Sequence, residues 1–99
     1  MEQDFLADVI HERSARNPRF PALVEAAEKR RQLLLALARE REASGLTQTE
    51  VAAAMGTSQS QVARLESASV DTKLSTIEKL AAVLGKRIEW RISDAHAAK

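Results

Sequence analysis

The sequence predicts an all-α chain: a bundle of short helices, with a helical arm before it and one strand after it. Three observations predict this. Apolar residues make up 44% of the 99 residues but aromatic ones only 3%, so the core is aliphatic, and the Ala and Leu that supply it favour helix. Two capping signals, Thr47-x-x-Glu50 and Ser58-x-x-Gln61, stand eleven residues apart around Gly56. Only Lys86–Ser93, KRIEWRIS, alternates with the period of a strand.

The elements follow in order. Residues 4–15 carry Phe5, Leu6, Val9 and Ile10 as one apolar stripe on a short helix. Asn17 can cap the next helix, with Pro18 at its first position. That helix is expected from about Pro18 to Ala43, with two apolar stripes. Leu23, Leu33, Leu34 and Leu37 form one, and Val24 and Leu35 the other. The first faces the domain core. The second is covered either by the arm helix folding back or by another protein. Ser44-Gly45 ends the helix, with Gly45 at a left-handed position.

The first capping box opens a helix of about Gln48–Met55, and Gly56 supports a sharp turn. The second capping box opens a helix of about Gln59–Ser67. A polar connector, ASVDTK, leads to a helix of about Leu74–Leu84 that buries Leu74, Ile77, Leu80, Ala81 and Leu84, and Gly85 stops it. In the final strand Ile88, Trp90 and Ile92 face one way, and Arg87, Glu89 and Arg91 the other. A lone buried strand needs a partner for its backbone groups. Either it pairs with the same strand of a second copy across a two-fold axis, or it is an extended tail packed on its own domain. Trp90 reads as an interface or core anchor rather than a base-stacking residue. The organisation is therefore an arm at 1–28, a bundle at 29–85, a dimerisation strand at 86–93 and a flexible tail at 94–99.

Composition narrows the chemistry. There is no cysteine, so disulfides and thiolate metal sites are excluded. The opening MEQDFLADVI is acidic where a signal peptide is basic, and no run suits a membrane span, so a cytoplasmic location is expected. His11 and His96 lie at opposite ends without metal-ligand spacing, and there is no glycine-rich phosphate loop. Carboxylates mostly neighbour Lys or Arg, as solvated pairs do. Catalysis, a cofactor and a bound metal are not expected. Net charge is +1, unevenly spread: −3 over residues 1–28, +3 over 29–45, −1 over 46–70 and +2 over 71–99. The second capped helix displays Gln59, Ser60, Gln61 and Arg64, side chains able to reach base edges in a major groove. Its weak charge implies modest affinity per subunit, which dimerisation would remedy.

The segment Gly45–Glu66, GLTQTEVAAAMGTSQSQVARLE, resembles the helix-turn-helix of the phage-repressor superfamily, the XRE or Cro/CI-type family. The likeness extends over about residues 33–85, through the closing helix. It implies that Gln48 contacts a phosphate and braces the base-reading glutamine. It implies that Gln59 reads adenine, with Ser60 beside it. Arg64 would fork onto guanine or clamp a phosphate, and Thr47 and Ser58 would meet phosphates at helix N-termini. Arg41 and Glu66 resemble a family ion pair that orients the reading helix. One departure stands out: after Glu66 the family continues with a glycine turn, and here the chain reads Ser67-Ala68-Ser69. The flanks, with Asn-Pro-Arg-Phe entering a helix that runs into LLLALARERE, are similar to the HigA-type antitoxins. That implies a RelE/HigB-like mRNA-cleaving toxin as partner and repression of the chain's own operon; the −3 balance of residues 1–28 either suits docking on a basic ribonuclease or is a solvated acidic arm. The alternatives are a stand-alone repressor and a protein-interaction module that no longer meets DNA.

Overall fold

The computed structural model describes residues 8, 9, 11, 13 and 18–94. Its helices are α1 (Phe20–Ala43), α2 (Gln48–Met55), α3 (Gln59–Glu66) and α4 (Leu74–Val83). Of the expected arm helix, Phe5, Leu6 and Ile10 lie outside the described residues, as do Asn17 and the chain after Asp94. Asp8, Val9, His11 and Arg13 are helical.

The chain divides into two units within α1, at Lys29 and Arg30. In the first, Arg13 stacks over the Phe20 ring, 5.8 Å from its centroid. Helix α1 starts at Phe20 rather than Pro18, because Pro18 and Arg19 form a turn. Leu23, expected on the core stripe, is 58% exposed.

The second unit, Arg30–Ser93, holds the core. Leu34 and Leu37 of α1 meet Val51, Ala52 and Met55 of α2, Val62 and Leu65 of α3, and Ile77, Leu80, Ala81 and Leu84 from α4 and its end. The core is aliphatic throughout, as composition required. Helices of eight to ten residues are about 12–15 Å long, so they cover only part of a 24-residue helix. This is why the α1 stripe is fully buried only at Leu34 and Leu37. Leu74, also expected in the core, is 59% exposed. It is the first residue of α4, and the buried stripe begins one turn later at Ile77.

All four helices close in the same way. An N–H just past each helix reaches back five residues to a carbonyl of the last turn: Leu46 to Arg41, Thr57 to Ala52, Ser69 to Arg64 and Lys86 to Ala81. The residue just before each of these donors is left-handed. Glycine fills that place three times, and Ala68, at φ 54°, fills it after α3.

The expected C-terminal strand is not formed. Lys86–Asp94 has no regular structure, because no neighbouring strand among the described residues offers it a ladder. Its three apolar residues also part company. Ile88 packs against the core, Trp90 is 49% exposed, and Ile92 is fully exposed. The start of the segment is tied down by side chains. Lys86 Nζ lies 3.4 Å from Glu40 Oε2, and Trp90 Nε1 donates to Glu78 Oε2 at 2.9 Å. The alternative reading, an extended tail on its own domain, describes Lys86–Trp90.

Candidate nucleic-acid interface

Helix α3 has a dry face and a wet one. Val62, Leu65 and Glu66 are buried, whereas Gln59, Ser60, Gln61 and Arg64 are exposed. At about 100° per residue, Ser60 and Arg64 sit near the middle of the wet face, with Gln59 at one margin and Gln61 at the other. The 3.6-residue period thus anchors the helix with three residues and frees the polar ones.

Capping fixes where each motif helix starts. At α2, Glu50 N–H donates to Thr47 Oγ1 and Thr47 N–H donates to Glu50 Oε1, both at 3.0 Å, a complete capping box. The bond from Thr47 N–H, then the Thr47 hydroxyl, holds the Glu50 carboxyl below its ordinary range. At α3 the expected box is only half made. Gln61 N–H donates to Ser58 Oγ at 3.3 Å, but no bond returns from the Gln61 side chain to Ser58 N–H. Ser58 Oγ also pairs with Ser60 Oγ at 3.1 Å, and the Gln61 side chain stays exposed.

Behind the wet face runs a connected polar chain. Arg41 forks onto Glu66, with Nε to Oε2 at 2.6 Å and Nη2 to Oε1 at 3.1 Å. Its third nitrogen, Nη1, donates to the Leu46 carbonyl at 2.8 Å and ties the α1–α2 connection to the pair. Gln48 Nε2 donates to Glu66 Oε1 at 2.8 Å, and Gln59 Nε2 donates to Gln48 Oε1 at 2.6 Å. The ion-pair side chains are only 13% and 8% exposed, and no buried side-chain polar atom lacks a partner among the described residues. The bond to Glu66 raises the Arg41 pKa above its ordinary value, with burial working against it, so the guanidinium stays charged.

Structure therefore joins Arg41, Gln48, Gln59 and Glu66 in one network and puts Ser58 and Ser60 together. It leaves Thr47 engaged with Glu50 alone, and Gln61 and Arg64 as exposed side chains. Ile88, Trp90 and Ile92 do not form one surface. Sequence reasoning treated the Gln48–Gln59 brace and the Arg41–Glu66 pair separately and missed the Gln48–Glu66 bond that joins them. The signal was present: Gln59 and Glu66 are seven residues apart, two turns on one side of α3. Leu46, whose carbonyl receives Arg41, and Glu78, which holds Trp90, had no such signal. Among the described residues no group of His, Asp or Glu could hold a metal ion, and no helix is long and apolar enough to cross a membrane.

Comparison with known proteins agrees with this geometry. Residues 37–91 match a family described as helix-turn-helix. The chain is 40% identical over 85 residues to Antitoxin HigA1 of Mycobacterium tuberculosis strain CDC 1551 / Oshkosh, and equally to Antitoxin HigA1 of strain ATCC 25618 / H37Rv. Each alignment takes in 86% of this chain but 57% of the relative, so the chain spans a little over half the length of the curated relatives it matches. No solved structure gives a significant match.

Proposed function

The chain belongs to the helix-turn-helix family, and from that premise we propose that it is a sequence-specific DNA-binding antitoxin. In this reading it neutralises a RelE/HigB-like mRNA-cleaving toxin and represses its own operon from the cytoplasm. The observation that carries the DNA-binding half is the chain from Arg41 through Glu66 and Gln48 to Gln59, which braces one polar side chain at the edge of an exposed helical face. Gln59 and Ser60 read base edges, and Arg64 forks onto guanine or clamps a phosphate. Thr47, Gln48 and Ser58 position the chain on the sugar-phosphate backbone, and Gln61 stands with the side chains able to reach base edges. Support for the antitoxin half is the likeness to HigA1 and the −3 balance of residues 1–28, which suits a basic ribonuclease.

A homodimer on a pseudo-palindromic operator, with reading helices about 34 Å apart, completes the proposal. Trp90 and Ile92 are the exposed apolar groups that support it, whereas Ile88 already belongs to the core of its own chain.

Replacing Gln59 and Arg64 together with Ala should abolish operator retention in a gel-shift assay while leaving the fold intact; unchanged affinity refutes the reading-head assignment. Co-expression tests the antitoxin half. A basic protein from the neighbouring reading frame, toxic alone, should be neutralised by this chain. If no such toxin exists, the second reading stands: a stand-alone repressor.

A further inference from the structure

The hydrogen bonds behind Gln59 have a direction, fixed by chemistry at the Arg41–Glu66 end and shown by geometry at the Gln59 end. An ionised carboxylate only accepts, and a guanidinium only donates. Glu66 takes Arg41 on both oxygens and still accepts from Gln48 on Oε1. Gln48 must therefore turn its Nε2 inward and its Oε1 outward. In the structure it is this outward Oε1 that Gln59 meets, and Gln59 approaches it with Nε2, at 2.6 Å. What remains for a ligand is the Gln59 Oε1 and the second N–H of Nε2, one acceptor and one donor side by side. The major-groove edge of adenine presents the complement, the N7 acceptor and the N6 amino donor. Were the direction reversed, Gln59 would spend its Oε1 on Gln48 and show only N–H groups. Those match the paired acceptors O6 and N7 of guanine.

We propose that Glu66, forked by Arg41, is a specificity-determining positioning residue: its acceptor-only carboxylate, transmitted through Gln48, sets the amide of Gln59 in the sense that reads adenine. Glu66 touches no base. It selects one by fixing which end of a distant amide faces the groove. This rests on the DNA-reading proposal above, and goes beyond it in assigning base choice to two residues inside the domain.

The test is selection from a duplex DNA library with randomised positions, using the full chain, with the thermal midpoint of each variant as the check on folding. The position read by Gln59 is the one whose preference disappears in Gln59→Ala. There the wild type should favour adenine over guanine by roughly 5- to 150-fold. Gln48→Met removes the link and frees the amide to turn, so the ratio should fall to within about threefold of equality. Gln48→Lys supplies a donor to both neighbours, Glu66 and the Gln59 Oε1, so guanine should overtake adenine. Glu66→Gln carries the expectation of Gln48→Met. Where loss of the charge unfolds that variant, the two Gln48 variants decide. Base ratios are insensitive to a uniform change in affinity, so a lost phosphate contact or general loosening does not mimic the result. An adenine preference unchanged in folded Gln48→Met and Gln48→Lys overturns the relay and leaves DNA reading standing. A wild type that selects no sequence overturns both.

Discussion

At the scale of single residues, one alanine carries a strain that three glycines avoid. Ala68 sits at φ 54°, where a Cβ costs about 1–2 kcal/mol. Replacing it with Gly relieves that cost, but loosens the unfolded chain by about 0.4–1 kcal/mol. It also removes a methyl group packed against the core. A net gain of about 0.5 kcal/mol is expected for Ala68→Gly. The mirror experiment is Gly56→Ala, at φ 74° with nothing within 4 Å of the added Cβ. It should lose about 1 kcal/mol from backbone strain alone. Paired urea denaturations read both signs, and two losses would rule out a left-handed Ala68.

The capping carboxylate gives a pH signature at the same scale. Glu50 has a depressed pKa in the folded chain. Its contribution is therefore present at pH values above its ordinary one, and is lost as acid protonates the folded carboxylate. Glu50→Gln keeps a side chain able to accept from Thr47 but removes the titration. The stability difference between wild type and variant should shrink on acidification below the ordinary carboxylate range, in urea midpoints taken from neutral pH downward. A difference constant with pH would contradict it. Arg41→Ala strands a buried carboxylate and should cost about 3–5 kcal/mol, whereas Arg41→Lys keeps the charge and loses the fork, and should cost less. Equal thermal midpoints for the two would show that the charge without the fork contributes nothing.

At the scale of elements, the motif was legible to within a residue. The Gln48–Met55 bounds were read correctly, and α3 and α4 each end one residue earlier than expected. Caps and glycines are local signals, and they act over a few residues wherever they occur. What was illegible depended on neighbours that a periodic pattern does not reveal. Leu74 has the right spacing for the core, yet it lies at the very start of α4 and is exposed. KRIEWRIS has a strand's alternation, but a strand exists only with a ladder partner. Its first apolar residue found the core of its own chain, and Trp90 found Glu78. The second capping box is half made: Ser58 Oγ accepts the Gln61 N–H, while the Gln61 side chain stays exposed. In the candidate site the Arg41–Glu66 and Gln48–Gln59 contacts were expected; the bond joining them was missed, although the two-turn spacing of Gln59 and Glu66 on α3 signalled it.

At the scale of the whole molecule, weak charge and exposed apolar side chains point the same way. Only Arg64 is cationic among residues 46–70, so a single reading head neutralises few phosphates. Trp90→Ala with Ile92→Ser should leave the domain folded, convert a dimer to monomer in sedimentation, and weaken operator binding. A dimer that survives both changes would move the interface elsewhere. The length of α3 has a further consequence. Eight residues are too few to hold a helix in water, and α3 persists because Val62, Leu65 and Glu66 are clamped by the rest of the domain. The proposed base reading therefore has no existence apart from the complete domain. Amide protons of α3 should therefore exchange with solvent only when the whole second unit opens, and a protease that catches that opening should remove the proposed recognition in a single event rather than by degrees.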